Sequence, residues 1–153
     1  MKKGINPAAL IVVFTLFLAT AASEQKSFAS LNHIAINVAD LKKSMAFYEG
    51  ILKLDTIPEP FHDGKHKWFK IGAHSQLHLI QRATSVSSHD KTNHICFSVA
   101  SIEDFIGNLK RAGIAYEDLV GQPNVVTLRP DGVKQIYLTD PDGYWIEINN
   151  DSY

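Results

Sequence analysis

Two stretches of the chain alternate bulky apolar residues with small or polar ones over eight matching positions. Asn32 to Ala39 reads NHIAINVA, and Asn93 to Ala100 reads NHICFSVA. Alternation of this kind marks a half-buried strand, because successive side chains of a strand point to opposite faces. Ile34, Ile36 and Val38 share one face of the first stretch, with His33, Ala35 and Asn37 on the other. In the second stretch Ile95, Phe97 and Val99 oppose His94, Cys96 and Ser98. After each strand the apolar spacing lengthens to that of a helix. Leu41, Met45, Tyr48 and Leu52 form a stripe behind Asp40, and Ile102, Phe105, Ile106 and Leu109 form another behind Ser101. Asp40 and Ser101 carry the side-chain oxygen that caps a helix N-terminus. Gly113 is a suitable C-terminal stop.

Each helix precedes further strand-like segments. In the first half they fall near Asp55–Pro60, His66–Ile71 and Gln76–Gln81; in the second, near Ile114–Glu117, Val125–Leu128, Gln135–Leu138 and Tyr144–Asn149. Asp63-Gly64 and Asp131-Gly132 suit hairpin turns. Pro141-Asp142-Gly143 suits a tight turn, with φ fixed by Pro and positive φ tolerated by Gly. A strand matched to a strand and followed by a matched helix at the same offset is an internal repeat. The expected architecture is α+β: two tandem βαβββ modules forming a curved mixed sheet around a cleft. Module one covers 31–83, a polar linker 84–91 and module two 92–150, together one domain over 31–150.

The non-apolar faces carry the candidate chemistry. His33 and His94 occupy equivalent positions on the first strands. On the last strands His78 and Glu147 face away from the apolar pairs Leu77/Leu79 and Ile146/Ile148. Pseudo-symmetry would bring three imidazoles and one carboxylate together. That donor set suits a divalent transition metal such as Zn, Ni, Fe or Mn. A histidine alone on a strand is more often structural than ligating; the joint pattern is what singles these four out. Trp145 shares the Glu147 face, and it or Trp68 could line an apolar cleft wall. His62, His66, His74 and His89 lie near turns or in the linker and read as solvated. Cys96 reads as filler beside His94.

Three pieces, LNHIAINVADLKKSMAFYEGIL, TNHICFSVASIEDFIGNL and YLTDPDGYWIEIN, resemble the vicinal oxygen chelate superfamily. That group includes glyoxalase I, fosfomycin-resistance thiol transferases, extradiol dioxygenases and bleomycin-resistance binding proteins. The resemblance runs from about Leu31 to Asn149 and implies metal ligands at His33, His78, His94 and Glu147. It implies a metal-dependent lyase or isomerase of glyoxalase I type, acting on a small oxygenated metabolite, with Glu147 as general base. It also implies substrate contacts at Asn37, where bacterial glyoxalase I has a glutathione-holding arginine, and at Tyr137, where fosfomycin enzymes place a substrate-contacting tyrosine. His78 departs from the second carboxylate of glyoxalase I and adds to the three ligands usual in the transferases. The alternatives are a protein that sequesters a small toxic molecule, or a fosfomycin-type transferase or dioxygenase. In this superfamily the modules may face each other within one chain or across a homodimer.

Charge and the N-terminus complete the picture. Lys2 and Lys3 precede an apolar run from Ala8 to Ala22 that ends in small residues, the pattern of a secretory signal peptide. The run is short for a membrane span, which takes about 20 apolar residues. Residues 1–22 are therefore expected to be a cleaved signal, 23–30 an extension, and the mature protein periplasmic or secreted, without a stable membrane span. Removing the two lysines takes the net charge from −1 to −3, and no basic patch argues for nucleic acid. The single cysteine excludes an internal disulfide.

Overall fold

The computed structural model describes residues 29–152; the expected signal peptide lies outside the described residues. The two repeats are present. Module one is β1 (His33–Val38), α1 (Leu41–Gly50), β2 (Thr56–Ile57), β3 (His66–Lys70) and β4 (Gln76–Gln81). Module two is β5 (His94–Ser98), α2 (Ile102–Ala112), β6 (Thr127–Leu128), β7 (Lys134–Thr139) and β8 (Trp145–Asn149). Each makes its own four-stranded mixed sheet, in the orders β1-β4-β3-β2 and β5-β8-β7-β6. In each, the first strand runs parallel to the last and the others are antiparallel.

The caps act as their chemistry requires. Asp40 accepts from the Lys43 N–H and Ser101 from the Asp104 N–H. Gly113 closes α2 in the left-handed region, at φ 67°. Edge strands are shorter than the apolar pattern suggests. Pro58 and Pro60 lack the N–H that would extend β2, and the expected strand at 114–117 reduces to bridges from Glu117 to Pro123 and Tyr137.

One core serves both modules. Val38, Tyr48, Phe69, Leu77 and Leu79 from the first join Leu109, Ile136, Leu138, Ile146 and Ile148 from the second. Each such side chain contributes about 1.5–3 kcal/mol on burial. The apolar faces of β1 and β5 pack inward. The faces with His33, Ala35 and Asn37, and with His94, Cys96 and Ser98, stay exposed.

A polar lock joins the modules. The β7–β8 turn inserts two buried carboxylates against the start of α1. Asp142 accepts from the Ala39 N–H at 2.7 Å and from the Ser44 hydroxyl at 2.5 Å. Asp140 accepts from the Tyr48 hydroxyl at 2.8 Å and from the Asp142 and Tyr144 N–H groups of its own turn. Gly143 sits at φ 87°, and a Cβ there would stand 2.2 Å from the Ser87 carbonyl oxygen. The turn therefore needs glycine twice over, for its backbone and for the segment lying across it.

That segment, 84–91, is irregular but anchored. Trp145 donates its indole N–H to the His89 carbonyl. The His89 ring stacks on Tyr144 at 4.0 Å, so His89 is half-buried rather than solvated. His66 departs from expectation likewise: its ring lies against Phe61 at 4.4 Å and its Nδ1 meets Asp63 at 2.9 Å.

Replacing Asp142 with Ala removes a buried acceptor from two donors and is expected to cost about 2–3 kcal/mol in urea unfolding. Asp140 supplies a pH test. Burial holds its carboxyl above the ordinary value of 3.8 despite the hydrogen bonds it accepts. The folded chain thus keeps this proton to higher pH than the unfolded chain does. The stabilisation is full below the unfolded value and is lost as pH rises through the folded one. Asp140→Asn lacks that titration, so wild type minus variant stability should fall as pH rises above the ordinary value of 3.8, measured by denaturant melts.

Candidate metal centre

The strand registers place two equivalent rows across the faces that carry His33 and His94. In sheet one, Ala35 pairs with His78, which pairs on its other side with Trp68. In sheet two, Cys96 pairs with Glu147, which pairs with Tyr137. His33 and His94 stand two residues before Ala35 and Cys96 on the same faces. The two halves thus share a frame but fill it with different chemistry.

In sheet one the row is a stack of rings. Trp68 lies over His78 with centroids 3.9 Å apart and planes 2° apart. On the other side of His78 lies His33, at 4.3 Å and 8°. His78 Nε2 donates to the Gln76 side-chain oxygen at 2.8 Å. Burial, and then the neighbouring His33, pull the His78 pKa below its ordinary value, so this ring stays neutral. His33 donates from Nδ1 to the Asn32 side-chain oxygen at 2.7 Å, which leaves its Nε2 as an acceptor.

In sheet two the row is a carboxylate with many donors. Glu147, 6% exposed, accepts from the Tyr137 hydroxyl at 2.6 Å and the Asn149 amide at 3.0 Å. The Cys96 thiol reaches it at 3.4 Å. Gln135 in turn donates to the Tyr137 oxygen. Burial acts to raise the Glu147 pKa, but the hydrogen bonds from Tyr137, Asn149 and Cys96 and the nearby His94 together bring it below the usual range. The cost of carrying that charge falls on its neighbours. Burial and Glu147 push the Cys96 thiol up to about 12 and hold the Tyr137 hydroxyl well above its ordinary value.

His94 completes this half. Its Nδ1 stands 2.9 Å from the backbone carbonyl of Lys91. A carbonyl only accepts, so Nδ1 carries the proton. Its Nε2 stands 3.1 Å from Glu147 Oε2. Two acceptors at that distance repel unless a proton or a metal cation lies between them. A histidine fixed by a backbone carbonyl, with its other nitrogen turned to a carboxylate, is the arrangement of a metal ligand. The donor set fits a divalent cation on this observation.

The structure does not gather all four expected ligands in one chain. His33 and His78 touch each other, as do His94 and Glu147. Among the described residues, no group of three or more His, Cys, Asp or Glu side chains stands close enough to hold a metal ion. Of the expected substrate contacts, Asn37 is exposed and its N–H donates to the Tyr144 hydroxyl. Trp68 is half-buried and stacks on His78. Trp145 is half-buried beneath the Lys91 ammonium, 4.4 Å from its ring centroid. Tyr137 is 2% exposed and its hydroxyl donates to Glu147. Gln76 and Asn149, which steady His78 and Glu147, sit two residues from them on the same faces, where strand alternation could have found them. Lys91 gave no such signal, because it lies in the polar segment and reaches Trp145, Glu117 and the Asp118 carbonyl only through the fold.

A family profile described as the glyoxalase/bleomycin resistance protein/dioxygenase superfamily matches residues 30–148. The chain is 34% identical over 129 residues to the metallothiol transferase FosB of Staphylococcus epidermidis, covering 78% of this chain and 80% of that one. It is 27% identical over 127 residues to a glyoxylase I of Arabidopsis thaliana, covering 79% of this chain and 70% of the plant protein. Among solved structures, the fosfomycin resistance protein FosX of Listeria monocytogenes superposes with a TM-score of 0.64 at 22% identity, over 82% of this chain and 96% of that one. With its doubled βαβββ modules and the profile match along nearly all of the described residues, the chain belongs to the glyoxalase/bleomycin resistance protein/dioxygenase superfamily.

Proposed function

We propose that the protein is a metal-dependent enzyme whose metal centres form between two copies of the chain. In each centre His33 of one copy meets His94 and Glu147 of the other. Members of the superfamily generally use a divalent metal, bind small molecules and often form dimers. The observation that carries the reading is His94 Nε2 set 3.1 Å from Glu147 Oε2 while its Nδ1 is held by the Lys91 carbonyl. The exposed His33 and His94 faces support the dimer, since each chain offers one half-site of each kind. A two-fold axis pairing unlike halves completes two centres at once. Exposed apolar residues near the edge of sheet two, including Val120 at 78% and Leu128 at 67%, suit burial in such an interface.

Bound there, a divalent cation would supply Lewis acidity toward two adjacent oxygens of a small substrate. The protein's part is to hold Glu147 ionised and aimed. A general base works best with a pKa near the operating pH. Glu147, with Tyr137, Asn149 and Cys96 donating to it, is held below its ordinary value and suits a fixed ligand better than a proton carrier. This favours attack by an external nucleophile over the lyase or isomerase route, which needs Glu147 as its base. A thiol fits, because it is partly ionised near neutrality and strongly nucleophilic. The similarity to a metallothiol transferase supports the same choice. The proposed reaction class is thiol transfer to a small oxygenated electrophile.

Purified protein should contain about one divalent metal ion per chain by elemental mass spectrometry and run as a dimer in light scattering. His94→Ala should abolish the metal; undiminished metal in that variant would overturn the assignment. An epoxide supplied with a thiol should be consumed only by the metal-loaded protein, and turnover of hemithioacetals instead would restore the isomerase reading. Tyr137→Phe removes a donor from Glu147. Because the folded pKa of Glu147 lies below its ordinary 4.5, the network stabilises the fold above that value and loses this contribution as pH falls through the folded pKa. The variant should raise the Glu147 pKa, measured by carbon-13 NMR titration, and weaken metal affinity about 10–100-fold.

A further inference from the structure

An imidazole binds a cation through a lone pair lying in the plane of its ring. His33 and His78 are stacked, with planes 8° apart and centroids separated by 4.3 Å. Their lone pairs therefore lie in two separate, nearly parallel planes. One cation cannot sit in both, so in this arrangement at most one of the two rings is a ligand.

The surroundings say which. Trp68 covers one face of His78 and His33 the other. Its Nε2 is engaged by Gln76 at 2.8 Å. The ring is clamped on two faces and at one edge, between neighbouring strands held in register. His33 is exposed, has only one face covered, and directs Nδ1 to Asn32, leaving Nε2 open. This is the second-partner pattern that His94 shows with the Lys91 carbonyl.

We infer that His78 is a positioning residue and not a metal ligand: it is a platform, backed by Trp68, whose face sets the ring of His33 so that Nε2 of His33 points at the cation. The inference rests on the proposed metal centre of His33, His94 and Glu147 and gives His78 its role beside it. Three ligands leave coordination positions for two substrate oxygens, and the stack replaces a fourth bond as the means of holding His33 still. The extra histidine, an anomaly among three-ligand relatives, then has a structural role that needs its flat ring and not its nitrogen.

Co²⁺ alone serves as the probe, with full-length mature protein as wild type, His33→Ala, His78→Phe and His78→Ala. Phe keeps the ring and discards both nitrogens. Equilibrium dialysis gives stoichiometry and Kd, and the visible absorption of bound Co²⁺ reports its ligand number and kind. Wild type and His78→Phe are expected to bind one Co²⁺ per chain with superimposable spectra and Kd values within about 3-fold, a loss below the 10–100-fold typical of removing an orienting partner. His78→Ala should keep the spectrum and bind about 10-fold more weakly, and His33→Ala should lose stoichiometric binding. A spectrum altered in His78→Phe, or loss of Co²⁺ from it while it melts as wild type does, overturns the platform role and leaves the metal centre standing with four ligands. Failure of the wild type to take up stoichiometric Co²⁺ overturns the metal centre and this inference with it.

Discussion

The insertion of two buried carboxylates from one module into the helix start of the other is the constraint on which the rest depends. Asp142 holds the backbone entering α1 and the Ser44 hydroxyl; Asp140 holds Tyr48. Buried acids are tolerated only where donors surround them; here the donors come from the other module and, for Asp140, also from its own turn. The turn that begins β8, the strand of Glu147, is thus pinned to the helix that follows β1, the strand of His33. Local order in either half-site passes through this contact.

The two sheets show how one backbone frame supports opposite solutions. The same three-strand row holds Ala35, His78 and Trp68 in one module and Cys96, Glu147 and Tyr137 in the other. In the first, flat rings gain dispersion and exclude water, and the central imidazole stays neutral. In the second, a charge is stabilised by converging donors whose own ionisation is suppressed. A neutral stacked half and an anionic half are complementary surfaces for a cation and its ligands. Within the single chain His33 and His94 lie exposed at the two halves, while Glu147 and Tyr137 are buried.

The donor pattern on Glu147 also shapes the chemistry. Hydrogen bonds from Tyr137 and Asn149 make the carboxylate a better-fixed and weaker base. In the proposed thiol transfer such a carboxylate would serve as a fixed ligand, with the nucleophile bringing its own reactivity.

The doubled strand-and-helix pattern, the helix caps at Asp40 and Ser101, the stop at Gly113 and the strand faces carrying His33, His94 and Glu147 were all legible in the sequence. Each depends on contacts a few residues apart or on strict alternation, which a linear pattern records. The short edge strands were less legible, because prolines break pairing that apolar runs suggest. Tertiary structure alone decided that Asp140 and Asp142 join the modules and that Tyr137 serves Glu147. It also decided that His89 and Lys91 are anchored and that His33 stacks on His78 instead of converging with His94 within one chain. Those outcomes turn on distances between residues far apart in sequence and on the angles of ring planes, and neither is written in spacing. A residue's type states which bonds it can make; only the folded chain sets which partner comes within reach.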